Sequence, residues 1–292
     1  MTQLNAGHLA VHERFKQFNR DMKDVWASHV FLSFYLPKVH GAVKAGTFPP
    51  LHLDSLSGVA IAPHLKNKND TFGTLSHIQN KVVPIRTLIS SVAITEDFLK
   101  DLCILVYERF PAKLSGGDIE ESPEQRQKML QTILTSTNKE EILSKLIEER
   151  VRGIFYGNVT DFFIKDKKVK LEFGDHFSKE HAKNLEYFKE ILARRNIHAH
   201  NDGKVDAKYL REAKLFPFKE GQRPSLTLEY LRHTLVILRG LSAVAASLVC
   251  KNVFNEPDIK GKLVIVLAPF EKNYTEAARA AGKFTLSPSP LF

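Results

Sequence analysis

Apolar residues recur at three- and four-residue spacings along most of this chain, a period that predicts helices. Phe15, Phe18, Met22, Val25, Trp26 and Val30 lie on one such stripe. They predict a first helix over about 8–34, closed by Pro37. From 36 to 80 the pattern breaks. Pro49-Pro50, several glycines and the run Lys66-Asn67-Lys68-Asn69-Asp70 predict an irregular segment there. Periodicity returns at Pro84, a residue suited to a first helical turn. Ile85, Leu88, Ile89, Val92, Phe98, Leu99, Leu102, Cys103, Val106 and Phe110 keep it up until Pro111. A polar helix over 123–135 follows, then one capped by Asn138 with Glu141 as its capping-box partner, running towards Phe155.

Between 156 and 175 the alternation of Val169, Leu171 and Phe173 fits a short strand or an extended connector. Ser178 reads as the N-cap of the next helix, whose stripe is Leu185, Phe188, Ile191 and Leu192. Residues 206–213 suggest a further helical turn, and 227–253 a last long helix lined by leucines. Beyond Asn255, the run 263–267 is short and β-rich, 274–283 suits a small helix, and Ser287-Pro288-Ser289-Pro290 a loose tail. The expected fold is all-α, an antiparallel helical bundle with an irregular N-terminal region and a small C-terminal extension. Its expected organisation is an N-terminal helix and irregular segment (1–80), a helical domain (81–255), and an extension with a short strand and helix (256–292).

Composition narrows the class. A 292-residue chain with 43% hydrophobic and 26% charged residues is ordinary for a globular protein. No apolar run stands out as approaching the ~20 residues that span a bilayer. The first residues lack the basic-then-apolar pattern of a secretory signal. The two cysteines, Cys103 and Cys250, sit inside apolar helical patterns and read as buried thiols. These features predict a cytoplasmic protein without a membrane partner. The net charge of +9 favours a polyanionic partner, RNA above all, while a solvated lysine face accounts for the same excess.

The chemistry concentrates in Ala193-Arg194-Arg195-Asn196-Ile197-His198-Ala199-His200-Asn201-Asp202-Gly203. Arginine can hold a phosphate through two parallel hydrogen bonds, and histidine can move a proton near neutral pH. Together they suit phosphodiester cleavage without a metal or other cofactor. Five helical residues advance about 500°, leaving Arg195 and His200 ~140° apart. Either the helix ends between them, as the Asn-Asp-Gly turn suggests, or a second chain completes the site. Bare Arg-x4-His spacing is weak, since a chain with 12 histidines yields such matches by chance.

The extended string is more specific. Arg-Asn, three residues, then His-Asn-Asp-Gly, on a helix preceded by another long helix, resembles the signature of the HEPN superfamily. It is closest in look to the prokaryotic RiboL-PSP-type and related groups. The likeness is sharp over about a dozen residues, architectural over 84–250, and absent at both ends. It implies a HEPN-type bundle and a homodimer with two motifs at its interface. It implies a metal-independent endoribonuclease, acting by 2′-OH attack to leave a cyclic phosphate, in a toxin–antitoxin or phage-defence setting. An antitoxin or nucleotidyltransferase is the partner it suggests. His200 would transfer protons, Arg195 hold the phosphoryl oxygens, and Asn196 orient the phosphate or the histidine. Arg194 also satisfies the family's spacing. His198, Asn201 and Asp202 are possible supports.

Glu96 interrupts the apolar face of its helix, at a place where related groups carry an acid facing the motif; plain exposure is the alternative. Lys204, Lys208, Arg211 and Lys214 are candidate RNA contacts near the motif, and Lys165, Lys167, Lys168 and Lys170 a more remote basic stretch. His198-Ala199-His200-Asn201-Asp202 also spells a metal-hydrolase fragment. A charged helix precedes it where such sites need an apolar strand, and Gly203 stands where a ligand would follow. Against the enzyme stands a catalytically silent HEPN scaffold that binds RNA or a protein partner.

Overall fold

The computed structural model describes residues 4–48, 68–114, 127, 131–133, 135–156 and 159–281, and the regular structure among them is all helical. In chain order the helices are α1 (Leu4–Ala45), α2 (Lys68–His77), α3 (Val83–Arg109), α4 (Lys139–Phe155), α5 (Asp161–Ile164), α6 (Asp166–Val169), α7 (His176–Glu180), α8 (Ala182–His200), α9 (Ala207–Glu212), α10 (Leu228–Leu248), α11 (Lys262–Tyr274) and α12 (Glu276–Ala280). A π-helical turn, Ile78–Val82, joins α2 to α3, and another, Val249–Val253, extends α10.

Helix α10 is central. It packs against α1, α3, α8 and α11, and Leu231, Ile237, Leu238, Leu241, Ala243, Ala245 and Ala246 are fully buried. Its small residues let neighbours approach closely. A Cβ on Gly240 would fall within 2.1 Å of the Phe270 ring, so α11 lies directly on it. With its π turn the helix is long and apolar enough to cross a membrane, contrary to the expectation from the sequence. Most of it is buried inside the bundle, which accounts for an apolar helix in a packed core. Helix α1 joins the same core through Val11, Phe15, Phe18 and Met22, with Phe18 stacked on Phe98 of α3 at 4.5 Å. Both cysteines are buried free thiols.

Four local expectations are corrected. Helix α1 runs through exposed Pro37 to Ala45. Proline removes one ladder bond, but tertiary contacts carry the helix past it: His40 stacks on Phe72 of α2 at 3.7 Å, and Val43 is buried. The irregular segment therefore shrinks at both ends, and Pro49-Pro50 lies outside the described residues. No strand forms at 169–173. Val169, Leu171 and Phe173 are buried at period two, but the intervening Lys170, Glu172 and Gly174 all have positive φ (56°, 60° and 57°). A left-handed residue at every second place also points alternate side chains inward, without extended pairing. The run 263–267 is helical within α11. Ser178 lies inside α7, and His181 occupies the N-cap position of α8 without a side-chain cap.

The cap at Asn138 follows the sequence, and two further caps form. Asn138 accepts from the Glu141 amide at 2.8 Å, while the Glu141 carboxylate reaches the Thr137 amide at 2.7 Å. Asp206 and Thr227 cap α9 and α10. Most of 123–135 and all of 282–292 lie outside the described residues.

Candidate functional site

Arg194 and Arg195 are neighbours with opposite fates, because successive helical residues point about 100° apart. Arg194 turns into the core, fully buried, with Nε donating to Glu190 Oε1 at 2.6 Å and Nη1 to the Ser225 carbonyl at 3.1 Å. Tyr209 and Tyr230 donate their hydroxyls to the same carboxylate at 2.7 and 2.9 Å. The guanidinium also lies 4.1 Å from the Tyr230 ring centroid. Burial works against its charge, but Glu190 and the two tyrosines outweigh burial and push its pKa up. The pair and its tyrosines tie α8, α9 and α10 together. Arg194 is thus a structural ion and not a phosphate ligand.

Arg195 turns the other way, to the wall of a cleft of about 1080 Å³ between α3, α4, α8 and α9. Its Nη2 donates to Glu96 Oε1 at 2.5 Å. Glu96 is therefore not simply exposed; its side chain is 16% accessible and Arg195 is 23%. Burial raises the Glu96 pKa, opposed by the charges of Arg195 and Lys100. Asn196 lines the same cleft beside Arg195.

The helix does not end between Arg195 and His200. It continues through His200, with Asn201 as C-cap. The Ile197 carbonyl accepts from the amides of both Asn201 (2.8 Å) and Gly203 (2.9 Å), which closes the helix with Asp202 and Gly203 at positive φ. His200 is exposed and does not line the cleft. Within one chain, then, Arg195 and His200 do not converge.

The other motif residues serve this turn. A Cβ on Gly203 would sit 2.9 Å from the His198 ring, so glycine is required both by φ 72° and by that ring. His198 is half-buried, and burial, reinforced by Arg194 and Lys81 against Asp202, lowers its pKa to about 4. It is neutral at physiological pH and faces the turn. Asn201 donates to the Lys204 carbonyl at 2.8 Å. Asp202 takes Lys81 at 3.0 Å and Arg223 at 2.6 Å, and these hydrogen bonds hold its pKa low. His198 and His200, two helical residues apart, point ~200° from each other. Among the described residues no group of three or more His, Cys, Asp or Glu side chains is placed to hold a metal ion.

The expected basic contacts divide. Lys208 and Arg211 line the cleft; Lys204 and Lys214, though exposed, do not. In the remote basic stretch, Lys165 pairs with Asp161 and Lys168 donates to the Gly153 carbonyl. The sequence reading missed Lys100, Arg152, Tyr156 and Lys189, which also line the cleft. All four had a periodic signal. Lys189, Leu192 and Asn196 share a helical face, Glu96, Lys100, Ile104 and Glu108 repeat every four residues along α3, and Ser144, Glu148, Arg152 and Tyr156 do so along α4 and the residue beyond it. Comparison with protein-family models, curated proteins and solved structures found no significant match to this chain.

Proposed function

We propose that this chain is a HEPN-type endoribonuclease of the cytoplasm, acting as a homodimer whose paired motifs cut RNA without a metal. One observation carries the reading: Arg195 stands on the wall of a basic cleft, oriented by an acid from α3, with Asn196, Lys208 and Arg211 lining the same space. An arginine so placed suits the crowded anionic transition state of phosphoryl transfer. In the proposed step His200 takes the proton of a ribose 2′-OH, whose oxygen attacks the adjacent phosphorus. The bond to the 5′-oxygen breaks, a protonated histidine returns a proton to that oxygen, and a 2′,3′-cyclic phosphate and a 5′-hydroxyl remain. Because His200 lies off its own chain's cleft, a second copy would supply the histidine. Two-fold symmetry then gives two such groups. An antiparallel HEPN bundle and a toxin or phage-defence role, with an antitoxin or nucleotidyltransferase partner, belong to the same reading.

The test mixes inactive subunits in chelator. Arg195→Ala and His200→Ala should each lose about 10²–10⁴-fold in RNA cleavage. Mixed dimers regain one intact composite site if the pair is shared between chains, so activity returns on mixing. An active monomer, or wild-type activity in both variants, would overturn the assignment. The position of His200 outside the cleft also favours a second reading, an RNA-binding scaffold without catalysis. Tight RNA binding with no cleavage by the wild type under any condition would establish that one instead.

A further inference from the structure

Tyr156 is 89% exposed, more than any other large apolar residue among those described. Such exposure contributes nothing to the core. Yet the residue is not loosely placed. Its amide donates to the Arg152 carbonyl at 2.9 Å, continuing the last turn of α4. The preceding Phe155 is anchored against Phe162, with ring centroids 5.7 Å apart. Among the described residues no other ring stacks on Tyr156. Its face is open, and it lines the same cleft as Arg195.

The same cleft is lined from α8 and α9 by Lys189, Lys208 and Arg211. None of the three makes an ion pair among the described residues, whereas Glu96 is taken up by Arg195. Lys100 and Glu108 on α3, Glu148 and Arg152 on α4 and Glu212 on α9 also line the cleft, so it carries both signs with cations in excess. At about 1080 Å³ the space is as large as the upper end of small-molecule pockets, room enough for a nucleotide and its neighbours. An exposed aromatic ring and unpaired cations lining one groove are the physical pattern for single-stranded nucleic acid. Bases stack on the ring and the backbone follows the charge. A duplex keeps its base faces stacked inside and cannot offer one to Tyr156.

We infer that this cleft seats a single-stranded segment, with one base stacked on Tyr156 and its phosphates against Lys189, Lys208 and Arg211. That the polymer is RNA rests on the function proposed above; the stacking geometry does not.

The experiment measures fluorescence anisotropy with a labelled 2′-O-methyl RNA of about ten nucleotides, which cannot be cleaved by 2′-OH attack. Probes are the single strand, its duplex, and an abasic version of the same length. Tyr156→Ala should weaken single-strand binding roughly 5- to 150-fold, the loss of one stacked base. Tyr156→Trp should keep it. The abasic strand should bind both variants and the wild type alike. Wild-type binding that prefers the duplex, or a Tyr156→Ala protein that holds the single strand as tightly as wild type, overturns the inference. A loss in Tyr156→Ala that is as large on the abasic strand does the same. Cleavage of unmodified RNA by the wild type, measured separately, keeps the two readings apart. Cleavage with Tyr156-independent binding removes the platform and leaves the ribonuclease. Tyr156-dependent binding without cleavage removes the ribonuclease and leaves the platform.

Discussion

Glu190→Ala should be among the most damaging single substitutions in the protein. It strands the Arg194 guanidinium at a site where neither partner has any accessible surface. Breaking a buried pair from one side costs about 3–5 kcal/mol, because the remaining charge is desolvated and unpaired. Tyr209 and Tyr230 lose their common acceptor as well, which puts the expected cost near the top of that range. For a chain of this size that is a fall of roughly 6–10 °C in Tm. Replacing both ions by apolar groups, Glu190→Leu with Arg194→Met, should recover part of the loss: the burial penalty disappears with the charges, while the Tyr209 and Tyr230 hydroxyls still lack an acceptor. Arg195→Ala should cost only about 1–2 kcal/mol, because Glu96 keeps some access to water and its raised pKa already favours taking up a proton. Thermal and urea unfolding of the three variants measure this directly. RNA cleavage per folded molecule adds the functional half: the apolar double variant should retain it and Arg195→Ala should not. The reasoning fails if Glu190→Ala melts like wild type, or if the folded double variant is inactive while Arg195→Ala cuts normally.

Other outcomes are expected. Burial, with His176 and Arg279, lowers the His181 pKa to about 3, and burial with Arg279 lowers that of His233 to about 4. The stability these neutral imidazoles allow is complete above pH 6.5 and is lost as pH falls towards those values, by up to ~2 kcal/mol per histidine at pH 5; equal Tm at pH 8 and pH 5 would argue against it. Glu96→Gln should leave Arg195 a neutral acceptor in a more positive cleft, so RNA binds more tightly while cleavage slows; anisotropy and turnover that both stay at wild-type values would remove Glu96 as a positioning residue. Gly203→Ala should destabilise by roughly 1–3 kcal/mol, through left-handed strain and displacement of the His198 ring; an unchanged melting curve would show that the turn adapts.

The fold was legible wherever burial followed a helical period over many residues. The stripe on α8, that on α10 from Leu231 to Ala245 and most of that on α3 are buried as spaced, though Leu228 is exposed, and the cap at Asn138 is local chemistry readable in three or four residues. The misreadings share a cause. Pro37, the run at 263–267 and the alternation at 169–173 are local signals that tertiary packing overrode or re-used. The Val169–Phe173 case is instructive, because its period-two burial is real and only the backbone that produces it differs. At the site, the sequence placed Arg195, Asn196, Lys208 and Arg211 near one another through two consecutive helices. It could not fix the partner of Arg195, since Glu96 is 99 residues away.

The structure also divides the motif in a way that bears on what the motif is worth. Arg194, Ile197, His198, Asn201, Asp202 and Gly203 are all engaged in holding the helix, its terminal turn and the surrounding loops. Their presence is explained by folding alone, so the His-Asn-Asp-Gly end of the string adds less to a catalytic argument than its likeness to a signature suggests. Arg195, Asn196 and His200 are the polar residues left over. His200 stands exposed at a helix C-terminus, a place that does not require histidine in particular. Among the described residues Arg195 pairs with an acid in a cleft that could have been closed with apolar side chains. The functional case therefore rests on those three residues and Glu96. Because the first two face the cleft and the third does not, it rests equally on a second chain bringing a histidine to that wall, and the complementation of Arg195→Ala by His200→Ala subunits is the measurement on which the enzyme reading stands or falls.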